Sequence, residues 1–335
     1  ILKSKALGYN SVSIDDVAHM IMLPCYSTST TELLKDYSRL YTQLFSIAKK
    51  YNISVFINTD YLFFNDDIRR YITTNHIDVS DFFLEVLTLL FKATPDISGV
   101  ILRIGENDGI DVSGTFLSSL VIKNPKKINE LLNKVLPLFE ANNKKLIFRT
   151  WTVGVYEVGD LIWNKRTLST AFKNITSNAL IVSMKYGDTD FMRYLKLNPR
   201  LLEGRYSKII ELQTRREWEG MGTYPSFVGW DYAEYFKLLR DRPDIAGLHV
   251  WCQTGGWAKQ QWSNVTMLDN SSFWNELNTF VTIKMYIDNT MSPEGAIRSF
   301  CENHGIKDSD QFIRLLALSD IVIKNGLYFK EIAEK

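Results

Sequence analysis

The chain has few cysteines and few histidines, and neither residue type is spaced as in a metal site. The three cysteines are Cys25, Cys252 and Cys301. The four histidines are His19, His76, His249 and His304. An odd, sparse set of cysteines gives no disulfide framework, and the histidines show neither an H-x-H nor an HExxH pattern. We therefore expect no bound metal and no cofactor. The alternative, a metal-dependent enzyme, is disfavoured by this shortage of ligands.

The chain also lacks an excess of one charge and a long apolar run. The formal net charge of +1 implies no nucleic acid as a partner. No apolar run approaches the roughly 20 residues of a transmembrane helix, so we expect no membrane span. The chain begins at Ile1 rather than at a methionine and enters a strand pattern almost at once. We interpret it as part of a longer protein, so its compartment stays open.

Short apolar runs alternate with amphipathic segments through most of the chain. The predicted strands are 11–15, 53–59, 99–105, 145–151, 180–186, 208–213 and 246–253. Segments 31–51 and 124–142 have helical periodicity, and in the second Ile128, Leu131, Leu132, Val135 and Leu138 would form the buried face. This alternation is typical of βαβ units with parallel strands. It predicts an α/β fold, a (β/α)₈ TIM barrel whose first strand is missing from this chain. An open doubly wound sheet is less favoured, because no GxGxxG turn follows an early strand.

The pattern changes after residue 268. Segments 271–288, 292–305 and 308–326 are predicted to be successive helices. Ser292 and Pro293 would start the second of them, and Gly305 and Gly326 would end the second and third. We therefore predict a TIM-barrel catalytic domain at 1–268 and a C-terminal helical region at 269–335.

Three of the predicted strands end in carboxylates. Glu106 follows the third strand, Asp188 and Asp190 follow the fifth, and Glu217 and Glu219 follow the sixth. The carboxyl ends of barrel strands meet at one rim, where active sites lie. Glycoside hydrolysis needs one protonated carboxyl and one carboxylate, so the pattern favours a glycosidase.

The residues alone assign only one of these roles. Glu106 follows an apolar strand, and burial there would raise its pKa as a general acid requires. An ion pair with Arg103 or Arg149 is the alternative. Periodicity does not separate Asp188 from Asp190, and Glu217 could instead pair with Arg215 or Arg216.

Several segments, in this order, resemble the α-glucuronidases of glycoside hydrolase family 67. They are GYNSVSIDDV, ILRIGEND, LIFRTWTVG, VSMKYGDTDF, ELQTRREWEGMGTY and the helical SFWNELNTFVTIKMYIDNTMSPEGAIRSF. The resemblance implies that Glu106 is the general acid. It also implies that Asp190 and Glu217 activate a water in an inverting mechanism, which expects carboxyl separations of roughly 6.5–9.5 Å. Leu102 departs from the resemblance, which would place a lysine four residues before the acid.

The expected partner is a carbohydrate substrate, and the sequence allows a homo-oligomer. The resemblance implies a substrate that carries a uronic acid, while the departure at Leu102 leaves that specificity open. Arg149 and Lys185 at strand ends could bind a substrate carboxylate or hold the catalytic carboxylates ionised. Asp15 could bind sugar hydroxyls or, with Asp16, cap the next helix. The indoles that could stack on sugar rings are Trp151, Trp218 and Trp251, and also Trp230 and Trp257. A carbohydrate-binding barrel without activity is the alternative function.

Overall fold

The computed structural model describes residues 1–105, 116–152, 156–204, 206–252 and 273–333. These residues fall into two compact units. The first contains Ile1–Leu2 and Asn10–Met184, and the second contains Lys3–Tyr9 and Lys185–Lys335. The two units are described separately below.

The first unit alternates strands and helices. Its strands are β1 (Ser11–Ile14), β2 (Ser54–Asp60), β3 (Phe63–Phe64), β4 (Gly99–Arg103), β5 (Leu117–Ser118), β6 (Lys145–Arg149) and β7 (Leu180–Lys185), which runs to the first residue of the second unit. Its helices are α2 (Thr28–Lys50), α3 (Asp66–Thr74), α4 (Val79–Ala93), α5 (Pro125–Ala141) and α6 (Lys165–Ala171). The short α1 (Leu2–Leu7) precedes them in the chain and belongs, from Lys3 on, to the second unit. Strands β1, β2, β4, β6 and β7 pair in that order, and each pair is parallel. The short β3 and β5 pair antiparallel as a separate two-stranded sheet.

Helices cover the strands of this unit through the apolar faces that the sequence predicts. In α5, Ile128, Leu131, Leu132 and Val135 are buried as expected. The face continues through Leu136 and Phe139, while Leu138 is only half-buried. The N-cap of α5 is Asn124, whose side chain accepts a hydrogen bond from Lys127 N, and Pro125 occupies the first turn, where a missing N–H costs nothing.

Gly99 lies where β4 and β6 approach each other most closely. A Cβ atom at this position would stand 1.9 Å from the carbonyl oxygen of Lys145, the residue paired with it on β6. Backbone atoms of a paired strand cannot move away without loss of the ladder hydrogen bonds. The position therefore requires glycine.

We predict that Gly99→Ala lowers the free energy of unfolding by at least about 2 kcal/mol, because overpacking against a paired backbone cannot relax. The matched control is Gly247→Ala, also within a strand, where the nearest atom to an added Cβ is Ile209 Cγ2 at 3.9 Å. Urea denaturation of both variants measures the difference. Equal stability of the two variants would contradict the prediction.

The second unit holds β8 (Ser207–Gln213), β9 (Ile245–Trp251), α7 (Gly229–Leu239) and the C-terminal helices α8 (Phe273–Ile287), α9 (Pro293–Asn303), α10 (Ser309–Leu327) and α11 (Lys330–Ala333). Strands β8 and β9 are parallel, with an irregularity between Lys208 and Ile209. The predicted helix start is present: the Ser292 side chain accepts from Gly295 N at 3.0 Å, and Pro293 opens α9.

The strands and helices predicted from the sequence agree with those observed, except at the end of one helix. Gly305 follows α9 with a φ of +67°, as a helix-ending glycine should. Gly326 does not end α10, which runs on to Leu327. Parallel strands alternating with helices confirm the α/β class, and seven such strands match the seven predicted runs among the described residues. Closure into a full eight-stranded barrel stays a prediction. No helix in the described ranges is long and apolar enough to cross a membrane.

Candidate active site

The end of β7 joins a buried cation to a carboxylate. Lys185, the last residue of β7, is only 4% exposed, and its Nζ lies 2.6 Å from Asp190 Oδ1. The same ammonium lies over the ring of Phe191, 4.5 Å from the centroid. The Asp190 side chain also accepts from Phe191 N at 2.9 Å, so both its position and its orientation are defined. Lys185 therefore contacts a candidate catalytic carboxylate, and both of its expected roles stay predictions.

The structure separates the two aspartates that periodicity could not. Strand β7 ends at Lys185, and residues 187–191 bend rather than continue the extended run. Asp188 is exposed, whereas Asp190 is half-buried and has a basic partner. The alternation that would have given both aspartates the same face therefore stops before either of them.

The end of β8 carries the second candidate carboxylate. Glu217 begins a short 3₁₀ turn, Glu217–Glu219, and its side chain forms an ion pair with the guanidinium of Arg215. Its amide donates to Gln213 Oε1 at 3.0 Å, which ties the turn to the last residue of the strand. Both side chains of the ion pair are largely buried, at 14% exposure for Arg215 and 12% for Glu217.

A tight chain reversal surrounds this turn. Arg216 precedes it with a φ of +50°, and Gly220 follows it with a φ of +78°. A Cβ at Gly220 would lie 2.6 Å from the ring of Tyr224, so both the conformation and the space favour glycine. The reversal ends the two-residue alternation of the strand, so Glu217 and Glu219 have different surroundings although they are two positions apart.

Trp218 connects the two strand ends. Its indole Nε1 donates to Asp190 Oδ2 at 3.1 Å, although the side chain is 49% exposed. Asp190 therefore contacts the residue that directly follows Glu217. The two candidate bases belong to one cluster, and an exposed indole face lies beside them.

Glu219 is a different kind of carboxylate. It is fully buried and receives hydrogen bonds from Arg216, Arg193, Ser226 and the hydroxyl of Tyr328. Burial alone would raise the pKa of this carboxyl, but the guanidinium groups of Arg216 and Arg193 outweigh it and lower the pKa to about 2. Because its two oxygens are occupied by donors from Arg216, Arg193, Ser226 and Tyr328, we interpret Glu219 as a structural anion.

Trp251 ends β9 beside another buried carboxylate. Its Nε1 donates to Glu211 Oε2 at 3.1 Å, and Glu211 lies within β8 with no exposed surface. The guanidinium of Arg215 lies 5.9 Å from the centroid of a Trp251 ring. The indole N–H is thus already bonded to protein, and the ring lies beside the guanidinium of Arg215 and the imidazole of His249. Stacking of Trp251 on a sugar stays a prediction.

In the first unit, Arg149 and Trp151 lie close together at the end of β6. Arg149 is 4% exposed and lies opposite Ser183 in the β6–β7 register. Trp151 is half-buried, two residues further along. These positions suit the roles that the sequence predicts for both residues, and the roles stay predictions.

Asp15 and Asp16 at the end of β1 have separate partners. Asp15 is exposed, and its Oδ1 accepts from Asn58 Nδ2 at 2.9 Å. Asp16 caps the following turn: its Oδ1 accepts from His19 N at 2.9 Å and lies 2.7 Å from His19 Nδ1. Capping therefore falls to Asp16, and the sugar-binding role of Asp15 stays a prediction.

Two residues from the sequence analysis, Glu106 and Trp257, lie outside the described residues. Trp230 is described, and its Nε1 donates a hydrogen bond of 2.7 Å to Oε1 of Glu294 in α9, so its indole N–H is bonded within the protein. Among the described residues, no group of three or more His, Cys, Asp and Glu side chains could hold a metal ion.

Sequence reasoning missed two charged residues of this region. Glu211 could have been found, because its carboxylate interrupts the apolar run of Ile209, Ile210 and Leu212, and such a group must have a buried partner. Arg193 gave no signal. It is 2% exposed and binds Glu219, Asp231 and Asp320, of which Asp320 lies 127 positions away in the sequence.

Comparison with known proteins gives a fold and no family. No family model matches the chain, and no curated protein matches it in sequence. Among solved structures, a GH138 enzyme targeting pectin rhamnogalacturonan II is similar, with 12% identity and a TM-score of 0.51 over 83% of this chain. The alignment spans only 33% of that enzyme.

Two further structures are similar at lower scores. A hyperthermostable endocellulase has 15% identity and a TM-score of 0.47, covering 86% of this chain and 85% of its own. An endoglucanase has 12% identity and a TM-score of 0.43, covering 84% and 87%. The match to the GH138 enzyme shows that this chain shares its fold with part of a glycoside hydrolase.

Proposed function

We propose that the protein is an inverting glycoside hydrolase, similar to α-glucuronidases, that acts on a carbohydrate bearing a uronic acid. The observation that carries the proposal is the cluster at the ends of β7 and β8. Asp190 and Glu217 each have a basic partner, and Trp218 links Asp190 to the turn that carries Glu217. These are the two carboxylates to which the sequence resemblance gives the role of the base.

In the proposed reaction, Glu106 donates a proton to the glycosidic oxygen, and the bond to the anomeric carbon breaks. Asp190 and Glu217 orient a water and accept its proton as the water oxygen attacks the opposite face of the sugar. The products are an alcohol and a sugar of inverted configuration. Lys185 supplies a positive charge beside Asp190, and Arg215 supplies one beside Glu217.

A cationic side chain at a strand end supports the uronic acid. Arginine, here Arg149, binds carboxylates through two parallel hydrogen bonds, whereas Lys185 is already paired with Asp190. The GH138 enzyme, part of which shares its fold with this chain, targets pectin rhamnogalacturonan II, so this polysaccharide is included in the test below. The exposed indole of Trp218 supplies a stacking surface for a sugar ring.

The test is a turnover screen with three substrate groups: aryl glycosides, glucuronoxylan oligosaccharides and rhamnogalacturonan oligosaccharides. We expect hydrolysis of a uronic-acid-bearing substrate by the parent protein and a loss of at least about a hundredfold in kcat for Glu106→Gln. Proton NMR of the first product should show the inverted anomer. Calorimetric binding of the same sugars without turnover, unchanged in Glu106→Gln, would support the non-catalytic binding barrel instead.

A further inference from the structure

The buried guanidinium of Arg216 forms hydrogen bonds to both chain segments that carry a candidate base. Arg216 is 1% exposed, and its Nη2 donates to the carbonyl of Phe191 at 3.1 Å. Its Nη1 donates to the carbonyl of Gln213 at 3.3 Å, and its Nε donates to Glu219 at 3.2 Å. Phe191 directly follows Asp190, and Arg216 directly precedes Glu217. The separation of the two carboxylates therefore depends on where this one side chain lies.

Glu219 fixes Arg216 from the other side. Its two carboxylate oxygens bind the Arg216 guanidinium at two points, which fixes the plane of the guanidinium. The remaining lone pairs of Glu219 accept from Ser226, Arg193 and Tyr328. The Tyr328 hydroxyl stands 2.7 Å from Glu219 Oε1. The carboxylate is thus the hub through which other elements reach Arg216.

Helix α10 contributes to this hub at more than one point. Asp320 forms an ion pair with Arg193, and Lys324 bridges Asp320 at 2.9 Å and Asp231 at 3.0 Å. Ser319 donates to the carbonyl of Pro225 at 2.8 Å, next to Ser226. Tyr328 follows the last residue of α10. The C-terminal helix is therefore bonded to the partners of Glu219 along its second half.

We propose that Tyr328 and Asp320 are positioning residues, through which the C-terminal helix α10 sets the placement of Asp190 and Glu217. Tyr328 acts on Glu219 directly, and Asp320 acts through Arg193. This inference rests on the proposed function for its catalytic consequence. Its structural consequence, that loss of Tyr328 or Asp320 contacts loosens both base segments together, does not need that function.

The first test measures hydrogen exchange of the main chain, because it needs no substrate. In Tyr328→Phe, and separately in Asp320→Asn, amides of 190–193 and 214–222 should exchange about tenfold faster, as local opening becomes easier. The control is Tyr235→Phe, which removes a buried hydroxyl that donates to Leu195 O at 2.6 Å and does not touch Glu219. Unchanged exchange of these two segments in both test variants would overturn the inference.

The second test measures turnover on whichever uronic-acid-bearing substrate the parent hydrolyses. Displaced catalytic groups slow the chemical step more than they weaken binding, so we expect kcat to fall about tenfold in Tyr328→Phe with KM within about twofold. Tyr235→Phe should lose comparable thermal stability and keep the parental kcat. Equal kcat in the two variants would show that Tyr328 serves stability alone, and would overturn the positioning role.

The two tests keep the two proposals distinguishable. Faster exchange of 190–193 and 214–222 together, in a protein that turns over none of the sugars, would support the coupling and contradict the proposed enzyme. Normal exchange in a protein that hydrolyses them would support the enzyme and contradict the coupling.

Discussion

Asp190→Asn and Glu217→Gln should each reduce kcat by at least about a hundredfold on a substrate that the parent protein hydrolyses, because a positioned base contributes roughly 10²–10⁴-fold in rate. Both substitutions keep the size of the side chain and an acceptor oxygen. In Asp190→Asn, the new amide oxygen would still accept from Lys185 or Trp218, which now contact the two oxygens of Asp190. We therefore expect KM to change less than kcat and the fold to persist.

The matched controls come from the same loop and the same unit. Asp188→Asn removes an exposed carboxylate two residues from Asp190, and Glu234→Gln removes an exposed one on α7. Both should keep the parental kcat. Steady-state kinetics with melting temperatures for all four variants make the comparison. Near-full activity of both Asp190→Asn and Glu217→Gln would show that these carboxylates are not the base.

Periodicity is sufficient for the regular elements because it reflects burial. Strands β4 and β6 are buried along almost their whole length, and their sequences GVILR and KLIFR are near-continuous apolar runs. The C-terminal helices have polar caps at Ser292 and Asp308. The sequence analysis does not predict helices α3 and α4, although Asn65 and Asp78 cap them in the same way.

Periodicity does not distinguish the carboxylates of the candidate site from their neighbours. Asp188 and Asp190, like Glu217 and Glu219, are two positions apart and chemically alike. What distinguishes them is the reversal at Arg216 and Gly220 and the early end of β7, and neither changes the apolar pattern. A motif resemblance chose Asp190 and Glu217, and the structure gives the physical difference between them and their neighbours.

The second large effect is expected at Glu219, a fully buried carboxylate whose substitution should lower the stability of the fold. At neutral pH, Glu219→Gln should lower the free energy of unfolding by about 3–5 kcal/mol, because it leaves the buried guanidinium groups of Arg193 and Arg216 without their shared anion. The exposed Glu234→Gln should change it by less than about 0.5 kcal/mol. Urea denaturation at pH 7 compares the two.

Glu219→Gln should also make the free energy of unfolding less dependent on pH in the acid range. The pKa of Glu219 falls from an ordinary 4.5 in the unfolded chain to about 2 in the folded one. A lowered folded pKa means that the stabilisation is complete above about pH 4.5 and is lost as the pH falls towards 2, by roughly 3 kcal/mol. The gap in unfolding free energy between the parent and Glu219→Gln should therefore narrow from pH 4.5 to pH 2.5. Because every other titrating group is common to both proteins, a gap that stays constant over this range would contradict a charged, ion-paired Glu219.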